Sequence, residues 1–396
     1  MRTIENIVIV GILIVLGLSC VEPFSIHSIS FDKAIVVEGR LTNEQKEHYV
    51  KLSYTRPIGE EENAPLTSAE VWVEGADGSK IEFIETEPGH YENIEKISGV
   101  AGNNYQLFFT TSEGRQYQSN PQELIASPPI DSIYDVYAEK ANTKTGELMQ
   151  GIQFFMDTHD ETNTAQYYKY EWEETYEVYA PYPSYYEFFS DPDTAVARTE
   201  DVSPCYASAK SVGINVGTTV NLTESRLSEL PIRYITNETD HLKSAYSILV
   251  RQYVISAEAY SFYRKILENN NDNGSLFDKQ LGVVAGNISS LADPDETVLG
   301  FFEVSGVAEK RSFFKFEDLD RRFPLPDEQY PCLIQHNIST IDSLEYYVRG
   351  KGYGIVNAEY CYSIRCNNEF NAMLAPKYCT DCRFRGPATK PDFWIY

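Results

Sequence analysis

The sequence predicts a mainly β protein: an N-terminal β-sandwich, then a larger β-rich domain with one or two helices and a disulfide-stapled C-terminus. Three observations lead to this fold class. Short segments in which apolar and polar residues alternate recur from residue 34 onward, separated by turn-forming Gly, Pro, Asn and Asp. Only one stretch has a clear helical period. Six of the seven cysteines lie beyond residue 200, and four of these lie in the last 40 residues.

Composition sets the broad class of the protein. The chain has 396 residues, more than one compact core usually holds, and 42% of them are hydrophobic, which suffices for two cores. Its net charge is −26. That charge argues against binding to nucleic acid, whose phosphates need Lys and Arg, and against electrostatic docking on anionic lipid. A simpler role for the charge is to keep an exported protein soluble.

The first residues have the pattern of a lipoprotein signal peptide. Arg2 precedes an apolar run at residues 7–18, which is too short to span a bilayer comfortably, and Ser19 and Cys20 follow it. The thiol of Cys20 is the predicted lipidation site. Residues 1–19 are then removed as the signal peptide, and residues 20–33 form a lipidated tether. The alternative is an ordinary signal peptide with an incidental cysteine.

Residues 34–127 are predicted to form the β-sandwich domain. Period-two alternation predicts strands at residues 34–41, 47–54, 69–74, 81–85 and 104–111. The spacing of Val71-Trp72-Val73, Asp77-Gly78 and Pro88-Gly89-His90-Tyr91 is similar to that of carboxypeptidase-regulatory-like and transthyretin-like modules. An Ig/transthyretin-like sandwich is therefore expected, with Trp72 and Tyr91 in its core.

Ser127-Pro128-Pro129-Ile130 marks the boundary to the second domain, residues 131–396, because two prolines cannot continue a central strand. Further strands are predicted at residues 131–137, 151–157, 212–222, 231–235, 298–307 and 312–316. One helix is predicted at residues 256–270, with Ser256 as its N-cap and one apolar face.

An unusually aromatic stretch occupies residues 167–189. In its first part, aromatic and charged residues alternate in places, as on a strand with one solvent-facing side. Pro181 and Pro183 then end this pattern and indicate a loop. Aromatic anchors dominate interface hot spots, so this stretch is a candidate partner-contact surface. The candidate contact residues are Trp172, Tyr176, Tyr179, Tyr182, Tyr185, Tyr186 and Phe188. An aromatic core of a large sheet is an equally weighted alternative.

The cysteines that remain after lipidation predict three disulfides, because their number is even and the compartment is oxidising. The candidates are Cys205, Cys332, Cys361, Cys366, Cys379 and Cys382. The sequence leaves their pairing open. A four-cysteine zinc site drawn from the last four is the less favoured alternative.

No motif predicts catalysis. The six histidines are scattered, and the sequence has no His-Glu-x-x-His pair, Gly-x-Ser-x-Gly elbow, phosphate-binding loop or dinucleotide fingerprint. Many Asp and Glu residues are present, but no spacing selects a catalytic pair. We therefore expect no enzymatic activity, no cofactor, no catalytic residue and no metal site.

Several strings along the chain resemble the Bacteroidota outer-membrane lipoprotein family that contains domain of unknown function 4249. They are Cys20-Val21-Glu22-Pro23, IVVEG at 35–39, GIQFFMDTHD at 151–160, YKYEWEETY at 168–176, YSILVRQYVISAEAY at 246–260, GSLFD at 274–278, Gly286-Asn287-Ile288, CTDCR at 379–383 and PDFW at 391–394. Gly386-Pro387 departs from the usual Gly-Gly of that family.

The resemblance implies a non-enzymatic accessory lipoprotein that caps a TonB-dependent, SusC-like barrel and helps to capture ligand or to assemble the complex. It implies an outer-membrane, lipid-anchored location facing the cell surface. It implies no ligand-binding residues. One alternative is a structural accessory of an outer-membrane assembly or secretion machine, and another is a surface hydrolase with an unrecognised site.

Overall fold

The computed structural model describes residues 33–56, 64–142, 144–190, 193–271, 284–326, 332–360 and 370–396. About half of the described chain is β-strand and little of it is helix, which confirms the predicted mainly β class. The strands are β1 (Ile35–Thr42), β2 (Tyr49–Tyr54), β3 (Ala64–Pro65), β4 (Glu70–Gly75), β5 (Lys80–Glu87), β6 (His90–Glu92), β7 (Asn104–Thr110), β8 (Gln116–Ser119), β9 (Gln122–Glu123), β10 (Ile130–Ala141), β11 (Leu148–His159), β12 (Tyr167–Val178), β13 (Tyr186–Ser190), β14 (Asp193–Ala197), β15 (Cys205–Lys210), β16 (Asn215–Thr218), β17 (Arg226–Thr236), β18 (Ala245–Val254), β19 (Ile288–Ser290), β20 (Val298–Lys315), β21 (Gln335–Ile338), β22 (Tyr353–Tyr360) and β23 (Phe370–Pro376).

In the described residues, three α-helices accompany these strands. They are α1 (Ala257–Asn271), α2 (Ile341–Glu345) and α3 (Lys377–Thr380). Single 3-10 or π turns occur at Phe316–Asp318, Tyr346–Gly350 and Cys382–Phe384. Among the residues that the structure describes, no helix is long and apolar enough to cross a membrane.

The N-terminal sandwich forms as the alternation predicts. In β1 the side chains of Ile35, Val37 and Leu41 are buried in the sandwich core, and the alternate residues Val36, Glu38 and Arg40 lie on the other face of the strand and are less buried. Tyr91 is fully buried, as expected, whereas Trp72 is only half-buried and lies outside the core, because it is on the opposite face of β4 from Val71 and Val73. The core of this sandwich also contains residues that the chain contributes after residue 285, on β19 and the first part of β20.

Strand β20 connects the two halves of the molecule. Its first part pairs in parallel with β1, in a register that places Ile35 beside Val298, and its second part pairs antiparallel with β18. The prediction of two separate strands at 298–307 and 312–316 is therefore wrong. The polar run Glu309-Lys310-Arg311 looks like a turn in sequence, but it continues the strand because Glu309 pairs with Arg251 of β18.

The second core lies between a three-stranded sheet, β10-β11-β17, and the part of the large sheet formed by β12, β18 and β20. Phe154, Tyr168 and Tyr246 are among its fully buried side chains, and the Phe154 and Tyr246 rings stack at 5.0 Å between centroids. A third sheet, in the order β14-β13-β22-β23-β21, lies at the C-terminal end. Strands β13, β14, β21, β22 and β23 were not predicted, since their short segments lack a clear period.

Helix α1 confirms the predicted helix within about one residue at each end. The Ser256 hydroxyl accepts a hydrogen bond from the Ala259 backbone N–H at 3.1 Å, as an N-cap does. Tyr260, Phe262 and Tyr263 turn toward the large sheet, where Phe262 contacts Phe301 at 5.2 Å between ring centroids. The helix therefore covers one face of the sheet beside β12 and β20.

Candidate interaction surface

The structure divides the aromatic stretch into a buried and an exposed part. On β12, Tyr168 and Tyr170 are buried in the second core, and Trp172 and Tyr176 pack against that core half-buried. After β12 the chain leaves the sheet, and Tyr179 and Tyr185 are 52% and 63% exposed. The aromatic-core interpretation therefore holds for the β12 part of the stretch, and the contact-surface interpretation of the exposed part stays a prediction.

The end of β12 is held by a buried carboxylate. Glu174 is fully buried and accepts two hydrogen bonds from the Arg233 guanidinium, at 2.9 and 3.0 Å, and one from the Tyr246 hydroxyl at 2.9 Å. Beside it, the Tyr176 ring stacks on His241 at 4.0 Å between centroids. Burial lowers the pKa of His241, so this imidazole is held in its neutral form at neutral pH.

The loop between β12 and β13 lies against helix α3. The Tyr182 N–H donates to the Cys379 carbonyl at 3.0 Å, and the Ser184 N–H donates to the Thr380 carbonyl at 2.9 Å. The Arg385 guanidinium, which is ion-paired with Asp240, donates to the Tyr179 carbonyl at 2.7 Å. The loop backbone is thus held by the C-terminal segment at both ends.

Two disulfides fix that C-terminal segment. Cys205 of β15 is bonded to Cys382, and Cys332 is bonded to Cys379 of α3. Four of the six candidate cysteines therefore form disulfides as predicted. Cys361 and Cys366 lie outside the described residues, as does the predicted lipidation site Cys20.

A cleft of about 330 Å³ opens beside the exposed tyrosines. Its walls include Tyr179, Tyr378, the Cys332 disulfide and the charged side chains of Glu177 and Arg385. Tyr378 is 40% exposed. A second cleft, of about 320 Å³, is lined by Tyr186 together with Arg198 and Arg383.

The tyrosines of the loop between β12 and β13, together with Tyr186 at the start of β13 and Tyr378 of α3, are called the aromatic rim below. It consists of Tyr179, Tyr182, Tyr185, Tyr186 and Tyr378. Tyr182 and Tyr186 are half-buried, and Tyr186 packs against the small core of the third sheet. Phe188 lies on β13, and its side chain is outside the described part of the chain. Four of the seven candidate contact residues thus lie between the end of β12 and the start of β13, and the α3 residue Tyr378 lines the first cleft together with Tyr179.

A separate ionic cleft, which the sequence analysis missed, lies between helix α1 and the large sheet. Its volume is about 360 Å³. The Glu303 carboxylate at its floor accepts hydrogen bonds from Lys169 at 2.7 Å and from the Tyr263 hydroxyl at 2.6 Å, and it pairs with Arg40 at 2.8 Å. Arg40 also donates to Glu171 at 2.8 Å.

The charges of Arg40 and Lys169 outweigh the effect of burial on Glu303. Burial alone raises the pKa of this carboxyl group, but the two cations lower it to about 2. Burial lowers the pKa of Lys169, and Glu303 opposes that shift. The alternation of Lys169 and Glu171 on β12 is visible in sequence, but their partners on β1 and β20 are more than 100 residues away.

Nothing in the described residues forms a metal site, since no group of three or more His, Cys, Asp or Glu there could hold an ion. The expectation of no enzymatic activity and no cofactor stays a prediction.

Comparison with known proteins identifies a family. A family model described as Domain of unknown function (DUF4249) matches residues 21–311, about three quarters of the chain. The matched part contains the sandwich, β12 and the ionic cleft, and it ends within β20, so Cys332, Cys379 and Cys382 lie beyond it. No curated protein matches the chain.

Proposed function

We propose that this chain, which belongs to the DUF4249 family, is a non-enzymatic accessory lipoprotein that docks on an outer-membrane β-barrel of the TonB-dependent, SusC-like type. It would help the barrel to capture ligand or to assemble its complex. The family match supports the domain of unknown function. The lipid anchor is part of the proposal and rests on the sequence of residues 1–23. The Bacteroidota origin and the outer-membrane location facing the cell surface are also parts of the proposal, and they rest on the family resemblance.

The aromatic rim is the observation that carries this proposal. Tyr rings combine a large apolar surface with a polar tip, and in interfaces such residues supply most of the binding energy. Tyr179 and Tyr185 are exposed although they are large, and the backbone beneath them is hydrogen-bonded to a disulfide-linked segment. A rigid support lowers the entropy lost when these rings become ordered against a partner.

Cys20 supplies the membrane attachment in this proposal. Diacylglycerol on that residue anchors the chain, because a net charge of −26 gives no attraction to anionic lipid. The same charge disfavours nucleic acid as a partner. The lipid therefore fixes the chain at the membrane, and the aromatic rim contacts the barrel protein.

The test is recovery of the barrel with the full lipidated chain purified in mild detergent. The double variant Tyr179→Ala/Tyr185→Ala should lower recovery roughly tenfold or more, because two anchors of hot-spot type are lost. The matched control is Ile94→Ala/Leu148→Ala, which removes two exposed apolar side chains elsewhere and should leave recovery unchanged.

Mass spectrometry of the co-purified proteins identifies the partner. A TonB-dependent receptor in equal amount supports the proposal. Assembly or secretion components in its place would favour the alternative role as a structural accessory of such a machine. Equal recovery with the tyrosine variant and the control would contradict docking through the aromatic rim.

A further inference from the structure

The ionic cleft has the size and lining of a small-molecule site. Its volume of about 360 Å³ lies within the range of about 300–1,000 Å³ typical of ligand pockets. Phe262 and Tyr263 of helix α1, Phe301 of β20 and Tyr49 of β2 give it aromatic walls. Lys169 and Glu303 at its floor are buried.

The two cations of this cleft are already paired with carboxylates of the protein, so binding of an anionic ligand is disfavoured. Arg40 donates to both Glu171 and Glu303, and Lys169 donates to Glu303 and to the Tyr263 hydroxyl at 3.1 Å. An anion would have to displace these carboxylates and then lie next to them in a poorly solvated space. Both steps are unfavourable.

The lining carries one carboxylate more than it carries cations. Glu38, Glu171 and Glu303 face two cations, Arg40 and Lys169. Glu38 lies on β1 at the exposed side of the cleft, and it accepts a hydrogen bond from the Tyr49 hydroxyl at 3.3 Å. The surplus negative charge therefore lies beside an aromatic wall.

Lys51 is the nearest candidate to neutralise Glu38, since it is opposite Glu38 in the β1–β2 register. In the described part of the chain no ion pair within 4 Å joins these two side chains, and Lys51 is exposed. Burial and the charge of Glu38 both raise the pKa of Tyr49, which is consistent with a negative potential at the opening.

We propose that this cleft binds a small organic amine, whose protonated nitrogen pairs with Glu38 and whose apolar body lies against Tyr49, Phe262 and Tyr263. A cation is attracted both by the surplus carboxylate and by the aromatic faces, which carry negative charge at their centres. The site is independent of the aromatic rim, so its ligand binding does not depend on the proposed docking function.

The first measurement is isothermal titration calorimetry of the full chain with two probes of the same shape and opposite charge. Phenethylammonium is the cation and 3-phenylpropanoate is the anion. The cation should bind at least about tenfold more tightly than the anion. Equal affinities, or no heat from either probe at concentrations up to about 10 mM, would overturn the proposal.

The second measurement uses Glu38→Gln, which removes the surplus charge without touching the buried network. Binding of phenethylammonium should weaken roughly tenfold, because one charge-assisted contact is lost. Glu70→Gln is the matched control, since Glu70 is an exposed carboxylate on β4 of the same sandwich, and it should bind as the original chain does. Unchanged binding in Glu38→Gln would overturn the assignment of the amine to Glu38.

Discussion

Glu303 and His48 are two buried titratable groups that the fold keeps in opposite charge states. Glu303 keeps its charge because Arg40 and Lys169 supply ion pairs and positive potential at a buried position. Its stabilising contribution is present above the pKa of the unfolded chain and is lost only as the pH falls through about 2. This network is therefore intact at every pH at which the protein is expected to work.

His48 is held neutral. The residue is 2% exposed, and its Nε2 lies 3.1 Å from the Thr42 hydroxyl. Burial first, and the charge of Lys46 second, lower its pKa to about 4, although Glu44 opposes the shift. Between about pH 4 and pH 6.5 the unfolded chain binds a proton at this residue that the folded chain does not.

The replacement His48→Gln should therefore reduce the pH dependence of stability in that window. In the original chain, the contribution of His48 to the free energy of unfolding rises with pH between about 4 and 6.5 and then levels. In the variant the rise should be smaller, because Gln does not titrate. Urea unfolding at pH 5.0 and pH 7.5 measures the difference. An equal rise in both chains would show that His48 is not the group responsible.

At the scale of single residues, sequence reasoning identified disulfide-forming cysteines but not the buried ionic network. Cysteines in a protein that is predicted to be exported usually form disulfide bonds. A Lys or Glu on an alternating strand is normally solvent-facing, so Lys169 and Glu303 gave no local signal of burial. Lys169 and Glu303 are buried because helix α1 packs over this part of the sheet.

Strand β20 is the element on which the two cores depend. Gly300 lies near its start with a φ of +88°, and a Cβ placed there would be 1.9 Å from the Val37 carbonyl oxygen of β1. Only glycine allows this close approach of the two parallel strands. The parallel pairing of β1 with β20 therefore depends on the absence of a side chain at residue 300.

The replacement Gly300→Ala should lower the free energy of unfolding by about 3 kcal/mol or more, through both the unfavourable φ and the clash with Val37. Gly114→Ala is the matched control, because Gly114 has a φ of +83° and open space around its Cβ position. The Gly114→Ala replacement should lower the free energy of unfolding by only about 1 kcal/mol. Urea unfolding of both variants gives the comparison, and equal losses would rule out a steric role for Gly300.

Helix α1 and most long strands could be predicted because their signals are local. The 3.6-residue period, the Ser256 cap and the alternation in β1 depend on neighbouring residues. The prediction that β20 is interrupted was wrong because the signal that continues this strand is not local. Its polar residues continue a strand because of their pairing with β18, which local pattern does not show.

At the scale of the whole molecule, the disulfides link distant parts of the chain. Cys205 and Cys382 are 177 residues apart, and Cys332 and Cys379 are 47 apart. Each bond restricts the unfolded chain, and the restriction increases with the length of the closed loop. The longer loop should therefore contribute more to stability.

Replacing Cys205 and Cys382 together by Ala should lower the free energy of unfolding by about 2–5 kcal/mol. Replacing Cys332 and Cys379 together by Ala should cost about 1 kcal/mol less, because the closed loop is shorter. Guanidinium unfolding without reductant measures both double variants, with mass spectrometry confirming the remaining bond. A larger loss for the shorter loop would contradict this account.

Local pattern by itself determined that the protein is mainly β, that it contains one substantial helix and that its C-terminal end is stapled. The family match supports the resemblance on which the proposed function rests, while the division into domains at residues 127–130 stays a prediction. These properties were accessible because periodicity, turn residues and cysteine number are features of short segments.

Only the tertiary structure decided which cysteines are bonded, how the aromatic stretch divides between core and rim, and where buried charges meet. Lys169 and Glu303 are 134 residues apart, and the parallel pairing of β1 with β20 is set by contacts over a still longer separation. Such contacts form where packing brings distant segments together, and no property of either segment alone specifies its partner.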